Sequence, residues 1–339
     1  MCKKEQGSQI RIDSIRIPWL DNAKGLGILC VMFCHVSWGV LDNPNNLIEH
    51  FINTFFMYLF FMVSGYVSYH SFFRLNTWGQ LLRLKNYSLL FPLFFIGIPK
   101  IILQDYYEQG VLQRNPFVTM IVDPMMRGYW FLWYLFIIRL LGKIFKLVIE
   151  YAQIHLSRTM RIILYILLTC IGLILIKYFQ YYPLFFLIGF LLHHKDYLNV
   201  LKTSDNIVGT AFMFFLIGFI ICEISDMQIW FVRKFLLGLL FTPIVFIWAS
   251  HTGTDSMLEK VFNLLGRYSL EIYVLHYFFL IGLSDSSLIQ NLNMPEQGFL
   301  LNLLFYLMIS IALIVFSLSV ARVIHYNKLL ELLLFGKVK

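Results

Sequence analysis

The sequence has 339 residues, of which 59% are hydrophobic, 18% aromatic and only 14% charged, and its mean hydropathy is +0.72. A chain with so little charge cannot build the polar surface of a water-soluble domain, which excludes the soluble classes and leaves lipid as its main solvent. The formal net charge of +8 therefore reads as Lys and Arg gathered on cytoplasmic loops, with no nucleic-acid partner implied.

Crossing the hydrocarbon core takes roughly 20 apolar residues in a helix, whereas a barrel would show short alternating segments. The long apolar runs predict an all-α, polytopic integral membrane protein. Residues 1–17 carry Lys3, Lys4, Arg11 and Arg16 and lead into the first run without a small-residue cleavage site, so that run is expected to stay in the membrane. Pro, Gly and charge punctuation then divide the chain into ten helices near 18–39, 51–72, 87–104, 129–148, 160–178, 181–193, 207–223, 229–250, 261–283 and 299–323. Tyr181, Tyr182 and Pro183 supply the break before the short sixth run.

Ten spans return the carboxyl terminus to the starting side. With both termini cytoplasmic, the inner segments hold nineteen of the 27 Lys and Arg and the outer segments six, Lys100 among the latter, while Lys24 and Arg139 fall within spans. The expected layout is a cytoplasmic segment 1–17, one membrane domain 18–323 and a cytoplasmic tail 324–339. No loop is long enough for a separate soluble domain and no internal repeat is visible. Cys2, Cys30, Cys34, Cys170 and Cys222 lack paired spacing, so no disulfide framework or metal site is implied.

An ionisable residue inside a span is costly and is a functional candidate by default. The first helix, PWLDNAKGLGILCVMFCH, carries Lys24 and His35 eleven residues apart. That is about three turns, so they share a face roughly 16 Å apart. Lys24 near the cytoplasmic entrance suits an anion, or simple snorkelling to the interface. His35, deeper, suits proton abstraction from a hydroxyl, or hydrogen-bonded packing against a neighbouring helix. Near the end, Ser269, Glu271 and His276 punctuate another apolar run. Glu271 is spaced to pair with Arg267, while His276 lies about 140° around from Glu271 and faces other neighbours. Trp130 and Trp133 read as packing or interfacial aromatics.

The segment WLDNAKGLGILCVMFCH resembles the first helix of the acyltransferase 3 family, membrane O-acyltransferases that modify polysaccharides. Asp21, Lys24, Gly25 and His35 match its Leu-Asp, basic-Gly and His pattern, and Lys at the basic position is similar to the fucose-4-O-acetylase-like branch. FFMYLFFMVSGYV resembles the second helix with its terminal Ser64-Gly65, and GYWFLWYLFIIRL resembles a Trp-Phe-Leu helix through Trp130, Phe131 and Leu132. PLFFLIGFLL resembles a later Phe-rich helix ending in Gly, and LGRYSLEIYVLHYF resembles a Ser-Leu-Glu-Ile-Tyr-x-x-His signature. Where many members carry Arg-x-x-Arg before a Pro, this chain has RLKNYSLLFP, with Arg83 and Lys85 at a different spacing.

The resemblance implies an O-acyltransferase of the cell membrane. It would take acetyl-CoA or another acyl-CoA as donor and a sugar or polysaccharide hydroxyl as acceptor. His35 would be catalytic as base or nucleophile, Lys24, Arg83 and Lys85 would bind the donor's phosphates, and Asp21, Ser64, Trp130, Ser269, Glu271 and His276 would support them. A flippase for a lipid-linked sugar is the alternative from another class, although the halves lack the repeat that transporters often show. A membrane scaffold with packing histidines is the third.

Overall fold

The computed structural model describes residues 16–40, 47–74, 87–112, 115–118, 128–194, 205–224, 231–283 and 299–337. Among them every regular element is helical. In chain order these are α1 (Pro18–Gly39), α2 (Leu47–Asn53), α3 (Phe56–Arg74), α4 (Tyr87–Pro92), α5 (Ile98–Gln109), α6 (Trp130–His155), α7 (Arg158–Tyr178) and α8 (Tyr182–His194). There follow α9 (Asp205–Ile224), α10 (Leu237–Ser250), α11 (Met257–Arg267), α12 (Ser269–Leu280), α13 (Phe299–Ile324) and α14 (Lys328–Phe335). A π-helical turn, Leu93–Gly97, joins α4 to α5 just after Pro92, and a second, Phe231–Leu236, leads into α10. A proline removes a backbone donor and crowds the turn before it, and a widened turn at Leu93–Gly97 absorbs that misfit.

Four stretches among the described residues are long and apolar enough to cross a bilayer, namely Leu47–Tyr69, Ser88–Gln109, Arg158–Tyr178 and Leu301–Ile324. The clearest is α7, whose apolar window has a hydropathy of 2.4 and is 0% buried inside the protein. Ile162, Ile163, Ile166, Leu173 and Ile174 are all exposed along it. A helix that is apolar all round and has no fully buried residue is solvated mainly by lipid. The protein is therefore an all-α membrane protein.

α1 is the central helix. It packs against α2, α3, α10, α11, α12 and α13, and its buried residues, from Leu20 to Ser37, lie all around its circumference. Pro18 at the first helical position is preorganised for the start of a helix, and Asp21 in the first turn complements the helix dipole.

Two crossings are closed by glycine on both sides. A Cβ on Gly25 would land on the carbonyl of Phe262 in α11, and one on Gly266 would land on the carbonyl of Asp21 in α1. At α3 against α8 the pattern repeats, with Gly65 against the carbonyl of Phe186 and Gly189 against that of Met62. Without a hydrophobic drive between helices in lipid, such close approach is what lets packing hold them together. The motif glycines Gly25, Gly65 and Gly189 are thus backbone contact points. Polar clasps fix the first crossing: Asn22 donates from Nδ2 to Thr252 Oγ1 at 2.8 Å and to the Gly253 carbonyl at 2.7 Å, and Asn263 donates to the Pro18 carbonyl at 3.1 Å.

All ten expected segments are helical within the described residues, with revisions at their edges. The second begins earlier and is stepped into α2 and α3. The ninth, expected as one helix over 261–283, is two, broken at Tyr268. Of these, α11 is amphipathic, with Met257, Leu258, Val261 and Leu264 exposed along one stripe, and it starts at a capping box in which Ser256 and Glu259 bond each other's backbone N–H. That leaves α12 with 12 residues, a rise of roughly 18 Å, short of a full hydrocarbon crossing. The expected tail contains α14, which packs on α4 and is held by Lys337 pairing with Glu271.

Candidate active site

His35 lies one turn before the end of α1, and His276 lies two turns into α12. The break at Tyr268 lets α12 run beside α1, so residues 241 apart in sequence meet: His35 Nδ1 is 2.8 Å from His276 Nε2, with the rings stacked at 4.9 Å between centroids.

The tautomers follow from the partners. His276 Nδ1 is 3.1 Å from the backbone carbonyl of Ile272. A carbonyl only accepts, so His276 carries its proton on Nδ1 and presents a lone pair on Nε2. His35 must then donate from Nδ1, which leaves the lone pair of its own Nε2 pointing away from the pair. The phenol of Tyr277 is 3.4 Å from that nitrogen and donates its proton to the Gly128 carbonyl at 2.8 Å. The arrangement is a relay of fixed direction, from Ile272 through His276 to His35, ending on an unprotonated nitrogen.

The surrounding framework is aromatic. Tyr273 also donates to the Gly128 carbonyl, at 2.7 Å, and Tyr129 donates to the Val274 carbonyl at 3.0 Å. Gly128 has φ +88, a left-handed conformation that favours glycine, and a Cβ there would come within 2.5 Å of the Tyr277 ring. It is therefore the turn that lets two tyrosines converge on one carbonyl. Lys100, expected among the outer-loop charges, is instead 5% exposed in α5, bonded to Gln104 Oε1 at 2.5 Å, with its Nζ 5.1 Å from the Tyr277 ring centroid. Trp38 flanks His35 at 5.9 Å, and its indole N–H donates to the buried Glu49, which also accepts from Ser37 at 2.9 Å.

At the opposite end of α1 the charges are organised around Asp21. Its carboxylate, 3% exposed, accepts from Lys24 Nζ and from Arg16 Nε, both at 2.6 Å. Lys24 is thus tied to a carboxylate one turn away, although its side chain keeps 29% exposure and spare donors. α1 is unbroken between Lys24 and His35, so the separation of roughly 16 Å stands.

The other sequence candidates are spread more widely. Glu271 is fully buried and pairs with Lys337 and, at 3.6 Å, with His325 rather than with Arg267, because the break at Tyr268 ends the regular i,i+4 geometry between Arg267 and Glu271. Ser269 starts α12, two turns from His276. Trp130 packs in an aromatic cluster with Tyr134 and Tyr182, at 5.4 and 5.1 Å. Ser64 accepts through its backbone carbonyl from the Ser68 hydroxyl at 2.6 Å and sits beside the Gly65 crossing. Arg83 and Lys85 lie outside the described residues. Gly128, Tyr277 and Lys100 were not singled out in the sequence; Gly128 and Tyr277 lie at the ends of the quoted segments GYWFLWYLFIIRL and LGRYSLEIYVLHYF, but nothing local shows that they converge.

A family model described as an acyltransferase domain matches residues 17–322. No curated protein and no solved structure matches the chain. The matched stretch runs from the residue before α1 almost to the end of α13 and so includes both histidines and all four glycines of the two crossings. On that coverage the chain belongs to the acyltransferase 3 family, and it is a membrane acyltransferase.

Proposed function

We propose that the protein is an O-acyltransferase, most simply an O-acetyltransferase, that moves an acyl group from a coenzyme A thioester to a hydroxyl of a surface or lipid-linked polysaccharide. The observation that carries this reading is the directed histidine pair, in which His276 holds the Nδ1 proton of His35 so that Nε2 is the base. Base catalysis by a positioned imidazole contributes about 10²- to 10⁴-fold.

In the forward step, His35 Nε2 takes the proton of the acceptor hydroxyl as its oxygen attacks the thioester carbon. A C–O bond forms, the tetrahedral intermediate collapses, the C–S bond breaks, and the departing thiolate recovers the proton from the imidazolium. The products are an ester and free coenzyme A. His276 Nε2 accepts the hydrogen bond that steadies the imidazolium during the step. The same His35 lone pair would serve a nucleophilic route through an acyl-imidazole, which a rapid-quench search for acylated enzyme would detect.

In this reading the chain threads the cell membrane ten times, the ninth passage being made by the short α12 with α11 lying beside it, and both termini are cytoplasmic, as the Lys and Arg distribution supports. The donor's nucleotide enters from the inner side, near Lys24, Arg83 and Lys85, and its arm reaches outward along α1 to His35. The acceptor approaches from the outer end, where Trp38 and the tyrosines lie. His35→Ala, with insertion and abundance checked, is expected to abolish acyl transfer. Retained O-acylation in a normally inserted variant would overturn the role of His35.

A further inference from the structure

Two cations on α6 take no part in the chemistry above. Arg139 and Lys143 are four residues apart and so share one face of the helix. Lys143 is 0% exposed and its Nζ has no hydrogen-bond partner; the Nε of Arg139 is likewise buried and unpartnered. The acid further along the same stripe, Glu150, pairs with Lys146 at 3.4 Å; its charge also acts on Lys143 but bonds neither Lys143 nor Arg139. A buried lysine can shed its proton, whereas the partly buried guanidinium of Arg139 stays charged, and a charge held inside the bundle is costly to leave without a counter-charge. Intramembrane cations are kept where they meet a counter-charge in function. Among the described residues no carboxylate bonds either cation, so a bound anion would complete the pair.

The position on α6 narrows the choice. Arg139 and Lys143 stand nine and thirteen residues beyond Trp130, roughly 14 and 20 Å along the helix from the end where Gly128 holds Tyr277 beside His35. That matches the roughly 16 Å between Lys24 and His35 on α1. A guanidinium fork binds phosphate oxygens in pairs and an ammonium adds a point charge, a combination suited to a diphosphate. A coenzyme A thioester has its phosphates and its reactive carbonyl at opposite ends of a slender arm.

We propose that Arg139 and Lys143 form a phosphate-binding site within the helix bundle that anchors the nucleotide end of the acyl donor. The inference rests on the acyl-CoA donor proposed above; the phosphate chemistry would equally fit an anionic lipid headgroup, and the test separates the two.

The test is equilibrium binding of radiolabelled coenzyme A to the full-length protein in phosphatidylcholine nanodiscs. Arg139→Gln with Lys143→Gln is expected to weaken binding at least tenfold while leaving thermal stability without ligand unchanged or raised, because two cations with no bonded carboxylate are gone. Arg139→Lys with Lys143→Arg is expected to keep most of the affinity. Should the double Gln variant fail to insert, Lys143→Gln alone carries the comparison. Wild-type affinity in the inserted neutral variant would overturn the site. If the wild type itself binds no coenzyme A, the donor reading fails, and phosphatidylglycerol nanodiscs decide the rest. Stabilisation of the wild type but not of the neutral variant would keep the phosphate site with lipid as its source, and equal responses would overturn it.

Discussion

Replacing His276 with phenylalanine removes the acceptor for the Nδ1 proton of His35 while keeping a flat ring of similar size at the stacked position. His35 then has two choices. It can keep its proton on Nδ1, now buried without a partner, at a cost of about 1–3 kcal/mol. Or it can move the proton to Nε2, the nitrogen that must accept the hydroxyl proton, with the Tyr277 oxygen 3.4 Å away as a weak acceptor. Either way the productive tautomer is disfavoured by up to that amount, which corresponds to a fall in kcat of about 5- to 150-fold. The assay is transfer from labelled acetyl-CoA by purified protein in nanodiscs, with kcat and KM determined separately. KM for the donor is expected to change little. The double variant His35→Ala, His276→Phe should be no slower than His35→Ala alone, because His276 acts through His35. Wild-type kcat in His276→Phe, or losses that multiply in the double variant, would refute the directed pair.

Other outcomes follow from the packing. Gly25→Ala forces α1 away from the carbonyl of Phe262 and should cost about 1–3 kcal/mol or block insertion, whereas Gly209→Ala, which meets nothing within 4 Å, should be neutral or stabilising; thermal unfolding of the two side by side checks this. Gly128→Ala, strained by its positive φ and by the Tyr277 ring, should lower kcat more than Tyr277→Phe, since it displaces both tyrosines while the latter removes one hydroxyl. At the start of α11, the backbone N–H groups of Ser256 and Gly253 hold the Glu259 carboxyl below its ordinary value. With the folded value depressed, its contribution to stability is complete above the unfolded value and is lost as pH falls through the folded one. Thermal unfolding of wild type and Glu259→Gln across that acid range should therefore converge, and a constant gap would contradict the assignment.

The helices were legible because lipid demands long apolar runs, and runs of that kind show in any window of the sequence. Their polar detail was less so. His35 stood out as an ionisable residue inside a span, but its partner lies 241 positions away, and only the break at Tyr268, inside a run that reads as one continuous helix, brings His276 to it. The same break diverted Glu271 from Arg267 to Lys337. Lys100 was read as an outer-loop charge because the third run was ended four residues beyond it, whereas α5 continues to Gln109 and buries it. The motif glycines were visible as pattern, yet their reason, backbone meeting backbone, belongs to pairs of helices and to neither sequence segment alone.

The central claim is transfer of an acyl group to a glycan hydroxyl, and its most direct test is mass spectrometry of the cell's surface and lipid-linked glycans with the wild-type gene, with His35→Ala and with no gene. The account predicts that an O-acyl mass, +42 for acetyl, disappears in both altered strains while the glycan itself persists. Loss of the glycan altogether would point to a flippase, and glycans of identical mass in all three strains would contradict the account.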